Sequence, residues 1–441
     1  MIRTLQRASC AVVAAALTTV AIGQTTFNVP SGSHPTIQSA INASVTGDTI
    51  LVAPGVYNER LSISSKRITI RATNGPAVTI IDPGSSPSLT PAVHFLGAIG
   101  LPGAVFEGFT VRNHNGIGAG SSAIETGFQS TVNIINCVVR DNTRSSFGGG
   151  VTMSGRGSII NTRFINNHTD LDGGGLWTSI NFGDILIQGC EFIGNSAGRS
   201  GGGAVLSASS VKNIVMEDCL FVGNSSGSDF GSLGGGGVYV RIDGVATEGV
   251  RIDRCRFIDN TSVAAGGGVG VRFEDTSTGS AGGRFLIRNS VVVGNESNAF
   301  GAGVRIRREA ANVVAPVVAE IINCTIVGNS AADASGVFIT NVDVGRVANS
   351  ILWWNTSPSF ADEIVQLAIN VTGTSDIRHS NIQFADTYLN EPGVINGFPA
   401  FVDTIGPDGL LWSGDENLAL SPGSPSIDTG DGAMDFGMFD L

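Results

Sequence analysis

The chain has 441 residues, 42 % of them hydrophobic and only 14 % charged, with a formal net charge of −12. That hydrophobic share excludes disorder, because such a chain buries enough apolar surface to offset its ordering entropy. The acidic balance excludes a nucleic-acid partner, which needs a basic footprint, and the 61 glycines, about twice the usual share, suit a chain with many tight turns.

Residues 1–23 read as a secretory signal peptide. Arg3 and Arg7 supply the positive region, Ala11 to Ile22 the apolar core, and Ala21-Ile22-Gly23 a small-residue cleavage site. The apolar run is too short for a span of about 20 residues, and no later segment is long enough. A secreted or cell-surface protein that does not span a membrane is expected. Further on, "PTIQSAINAS" from Pro35 places Ile37, Ala40 and Ile41 on one helical face and predicts an N-terminal plug. "GDTILVAPGVYNERLSI" and "RITIRA" then supply the first strands.

A repeat organises the middle of the chain. Segments such as "NCVVRDN", "GCEFIGN", "DCLFVGN" and "NCTIVGN" end on Asn142, Asn167, Asn195, Asn224, Asn260, Asn295, Asn329 and Asn355, at spacings of 25, 28, 29, 36, 35, 34 and 26 residues. Six residues after most of these asparagines comes a glycine that opens the next strand: Gly148, Gly173, Gly201, Gly266 and Gly301. Length varies mainly between that glycine and the next Cys, so insertions emerge at one corner. Short β-branched strands without a 3.6-residue period exclude a helical solenoid. Strands that all run one way and return by short corners describe an all-β, single-stranded parallel β-helix. About a dozen coils would stack at roughly 4.8 Å each into a rod of roughly 55 Å. The expected division is a signal peptide at 1–23, the β-helix at 24–390 and an irregular closing segment at 391–441, in a monomer.

Within the repeat, Cys137, Cys190, Cys219, Cys255 and Cys324 all stand five residues before a turn asparagine, and Thr162, Ser290 and Ser350 fill the same position elsewhere. One column interrupted by Thr and Ser is a slot for a small interior side chain, not a set of converging metal ligands. The asparagines are expected at corners, where Asn tolerates left-handed backbone and identical amides can stack in a ladder.

The N-terminal run "TIQSAINASVTGDTILVAPGVYNERL" resembles the opening of pectin-lyase-like right-handed parallel β-helix proteins, and "NLALSPGSPSIDTGD" from Asn417 resembles the closing segment of bacterial surface members of that group. The pairing of F-x-x-N with a later G-G-G-[AV] is similar to polymorphic outer membrane protein repeats of adhesin passenger domains. The resemblance implies a right-handed coil. It does not fix an activity, because this fold hosts lyases, hydrolases, adhesins and inert scaffolds. The polygalacturonase-type G-H-G and R-I-K signatures are missing, and the 86 residues after Asn355 lack the alternating segments of a membrane β-barrel.

One constellation is not a consequence of the repeat. Counting from Val238, Val269 and Val304, the third following residue is Arg241, Arg272 or Arg307, and the fifth is Asp243, Glu274 or Glu309. These offsets share one strand face, opposite Val240, Ile242, Val271, Phe273 and Ile306, and that face should point outward. Tyr239 and Trp177 fall on the same face. The insertions "GVATEG", "TSTGSAGG" and "EAANVVAP" of the same coils could wall a groove there. Three functions compete. The first is a non-catalytic module binding polysaccharide or another surface ligand through Arg241, Arg272, Arg307, Asp243, Glu274, Glu309, Tyr239 and Trp177, with Arg as a fork for carboxylates. The second, resembling pectate lyases, is a polysaccharide (uronate) lyase in which Asp243, Glu274 and Glu309 begin a Ca²⁺ shell and Arg241, Arg272 or Arg307 is the base. The third is a structural spacer or adhesin whose charges form a surface ion-pair ladder.

Overall fold

The computed structural model of the chain describes residues 24–118, 121–180, 183–209, 213–227, 234–243, 249–274, 283–309, 316–358, 363–411, 416–427 and 430. The signal-peptide expectation at residues 1–23 lies outside them, as does most of each insertion expected to wall the groove. No helix among the described residues is long and apolar enough to cross a membrane.

A single repeat illustrates how the sequence winds. Ile185–Gln188, Glu191–Ile193, Ser196–Ala197 and Ala204–Ser209 are four strands of one coil, and each pairs in parallel with its equivalent in the next coil. Repetition among the described residues builds four parallel sheets of 13, 12, 9 and 11 strands, in line with about a dozen coils. The first coil starts earlier than the sequence suggested: Thr26–Val29 precedes the helix and pairs with Thr49–Val52. The helix itself, Ile37–Ala43, buries Ile37, Ala40 and Ile41 and is opened by a Thr36–Ser39 capping box, which satisfies its first free N–H groups. It plugs the open end of the core.

Two left-handed corners flank the short second strand of each repeat. In the coil of Cys190 they are Gly189 (φ 62°) and Gly194 (φ 61°), and in the coil of Cys255 they are Arg254 and Asp259, both at φ 51°. The strained residue is therefore the one before each ladder asparagine, not the asparagine. Freed of that role, the asparagine turns inward. Asn142, Asn167, Asn195, Asn224, Asn260, Asn295 and Asn329 each donate Nδ2–H to the Oδ1 of the next at 2.8–3.0 Å. The Oδ1 also accepts the preceding coil's backbone N–H, as from Asn195 to Asn224 at 3.0 Å. Gln366 closes the ladder, accepting from Asn355 Nδ2 at 2.7 Å and donating to Asn355 O at 2.9 Å. Every amide in the column is thus satisfied away from water, where an unmet group would cost about 1–3 kcal/mol.

The interior stacks like on like. Phe164, Phe192, Phe221 and Phe257 lie face to face with centroids 4.6, 4.4 and 4.9 Å apart. The five cysteines of the repeat are free and buried, and burial pushes the Cys137 thiol up to about 12. The closing segment folds back on the flank: Phe401, Leu418 and Leu420 pack on the outer side of the 12-stranded sheet against Ile258, Val293, Val327 and Trp353.

Candidate functional site

The outward face of the 11-stranded sheet carries the predicted residues. In Val238–Asp243, Val238, Val240 and Ile242 are fully enclosed, so Tyr239, Arg241 and Asp243 take the other side of the pleat. Parallel register then fixes their neighbours. Arg241 pairs with Arg272 and Asp243 with Glu274, and Arg272 pairs with Arg307. Glu309 follows, its N–H donating to Phe273 O at 3.1 Å.

The charged side chains interleave rather than stand in separate columns. Glu274 lies 2.5 Å from Arg241 Nε and 3.0 Å from Arg272 Nε, while Glu309 lies 2.5 Å from Arg272 Nη2 and 3.9 Å from Arg307. Asp243 sits 3.8 Å from Arg241. Carboxylate oxygens that would begin a cation shell at Asp243, Glu274 and Glu309 instead face guanidinium groups, and among the described residues no three His, Cys, Asp or Glu side chains converge on a point that could hold a metal ion. Burial alone would lower the Arg272 pKa, but the Tyr239, Glu274 and Glu309 groups outweigh it and push the pKa upward. A guanidinium so held gives up its proton less readily than a free one, so less of the neutral form that a general base needs is present.

The two aromatic residues share the face but not the expected exposure. Tyr239 is only 6 % exposed, clustered with Val205 and the half-buried Trp177, and its hydroxyl bonds Arg272. It supports the arginine from beneath and offers no free ring. Trp177 is half-buried, and Phe147, also half-buried, stacks on it at 5.3 Å.

Register also joins residues that the offset counting passed over. The outward position of Trp177 continues through Val205, Tyr239, Gly270, Arg305 and Phe338 in successive coils. Arg305 is 6 % exposed and lies over the Phe338 ring at 4.1 Å. These six residues have no chemical type in common, so no sequence pattern marks the column.

A second ladder runs along the 13-stranded sheet. Arg284 reaches Glu320 at 2.5 Å, Glu320 reaches Arg346 at 2.7 Å, and Arg346 reaches Asp376 at 2.7 Å. In the same sheet the buried Asp253 is held by Arg288 at 2.7 Å and Asn289 at 2.9 Å. Burial alone would raise its pKa, but these partners and Arg254 draw it down. Charged ladders are therefore a device this chain uses on two faces, and the aromatic residues Trp177, Tyr239 and Phe338 beside the ladder are what set the 11-stranded face apart.

The family model described as right handed beta helix region matches residues 56–243. With four parallel sheets closing one interior, the fold is a right-handed parallel β-helix. No curated protein sequence matches the chain. Solved structures with a similar winding include the pectate lyase Pel9A, at 14 % identity and a TM-score of 0.42 over 92 % of each chain. They also include the pectin methylesterase PemA from Erwinia chrysanthemi, at 14 % identity and a TM-score of 0.33 over 81 % of this chain and 88 % of that one. ORF18 of Geobacillus virus E2 is 12 % identical with a TM-score of 0.34 over 78 % of this chain and 57 % of that one. Likeness at this level concerns the winding of the chain and not its activity.

Proposed function

We propose that the outward face of the 11-stranded sheet binds a hydroxyl-rich polysaccharide without transforming it, in a protein that acts outside the cell. The observation that carries this reading is that the Phe147–Trp177 stack and the Arg241–Glu274–Arg272–Glu309 ladder lie on one outward face, two coils apart. A flat aromatic face suits the apolar side of a sugar ring. Alternating guanidinium donors and carboxylate acceptors suit its hydroxyls, and their mutual pairing leaves little net charge to demand an ionic ligand. Arg272, with its pKa raised, favours binding over base catalysis.

Trp177→Ala should weaken retention on a bound neutral polysaccharide about tenfold, the loss expected for about 1.4 kcal/mol. The measurement is isothermal titration over a panel of neutral and uronate polysaccharides. An unchanged affinity would remove the site, and ultraviolet-absorbing unsaturated products from a uronate polymer, lost in Arg272→Ala, would replace the reading with lyase chemistry. A spacer role is the second reading. It is favoured by the ladder at Arg284, Glu320, Arg346 and Asp376, which has no aromatic partner among the described residues.

A further inference from the structure

The stripe is not electrically even along its length. Glu274 serves Arg241 and Arg272, and Glu309 is committed to Arg272 at 2.5 Å, leaving Arg307 at 3.9 Å from it. Arg305, two residues earlier on the same face, has no carboxylate within ion-pair distance among the described residues. Its Nη1 donates to Thr340 Oγ1 at 3.1 Å and, more weakly, to Ile306 O and Phe338 O at 3.4 Å, all neutral acceptors, and its Nε, enclosed by protein, has no hydrogen-bond partner. Two arginines whose Cα atoms stand about 6–7 Å apart along the strand thus have between them one carboxylate, Glu309, 3.9 Å from Arg307 and already paired with Arg272, in a chain whose net charge is −12.

Enclosing a guanidinium without a counter-charge is costly. Burial, then the charge of Arg307, draws the Arg305 pKa down to about 10. The Phe338 face at 4.1 Å offsets part of that cost. Phe300 completes the surroundings: it is 39 % exposed, lies 5.3 Å from Phe338 and 5.8 Å from the Arg305 guanidinium. It is the flat, open surface beside the charge.

We propose that Arg305 and Arg307, with Phe300, form a subsite for one anionic group, a carboxylate or a sulfate ester, carried by a sugar ring that lies on Phe300. The inference rests on the glycan-binding reading of the same face and gives it polarity: hydroxyl contacts over Arg241 and Arg272, an acidic substituent at the Arg305 end. The fork geometry of arginine suits both anions.

Titration with dextran, carboxymethyl dextran and dextran sulfate tests it, since the three differ only in the anion. One of the anionic chains should bind about tenfold more tightly than dextran, the gain expected of a charge-assisted hydrogen bond, and which one does so separates carboxylate from sulfate. Arg305→Gln and Phe300→Ala should each bring that ratio to about one. Because Phe300 is exposed, its variant keeps the test valid if the Arg305 variant fails to fold. A ratio near one in the unaltered protein, a ratio that survives Phe300→Ala, or retention of none of the three would overturn the subsite. Binding of the anionic chains alone, lost in both variants, would uphold the subsite while removing the neutral-glycan reading; equal binding of all three would do the reverse.

Discussion

His114 is the clearest titrating residue of the interior. It is 1 % exposed, with Nε2 2.7 Å from Ser121 O and Nδ1 3.1 Å from Arg60 Nη1, so Nε2 donates and Nδ1 accepts. Burial first, then the charges of Arg60 and Arg144, pull its pKa from 6.5 to about 4 against the opposing Ser121 bond. The sign follows by linkage. Between those values the unfolded chain takes up a proton that the folded one refuses. The contribution is complete above pH 6.5 and is lost as pH falls towards 4, to a limit of about 3 kcal/mol. Urea midpoints between pH 7 and pH 4 should therefore fall more steeply in the unaltered protein than in His114→Gln. Equal slopes would mean that another group carries the acid sensitivity. At this same scale the asparagine column was legible from spacing alone, because a repeated residue at a fixed distance from a hydrophobic strand has few other roles. What spacing could not give was the one-residue offset that moves the left-handed backbone to Gly194 and Asp259 and frees the amides for the ladder.

Among the elements, the glycine triplets are steric and not flexible. A Cβ on Gly202 would lie 2.3 Å from Ser225 O and 2.6 Å from Gly236 O, both backbone atoms that cannot yield without parting the coils. Gly202→Ala should cost about 2–4 kcal/mol, seen as a lower thermal midpoint. A midpoint unchanged within error would mean that the coils can slide apart there. The triplets were readable as strand openers, but their reason lies in the neighbouring coil's carbonyls and only register reveals it. The same limit explains the functional face. The Arg and acid offsets were found by counting, since three coils repeat a residue type, whereas Trp177, Val205, Tyr239, Gly270, Arg305 and Phe338 are united by pairing alone. Counting also placed Tyr239 on the correct face but could not sense that Val205, Trp177 and Arg272 would cover it.

Across the whole molecule, stacking does two jobs with one geometry. Inside, it lines up phenylalanines, thiols and amides so that each coil satisfies the next. Outside, it lines up whatever the outward positions hold, and on the 11-stranded sheet these include aromatic residues and arginines in neighbouring coils. A glycan laid along that surface would protect it across several coils at once, which distinguishes a binding face from a ladder that merely offsets like charges. Hydrogen–deuterium exchange with and without a retained polysaccharide tests this most directly. Slower exchange is predicted in Leu176–Ile180, Val238–Asp243, Val269–Glu274 and Val304–Arg308, with Val317–Ile322 and Val344–Ala348 of the second ladder unchanged. Protection confined to the second ladder, or spread equally over both faces, would contradict the account.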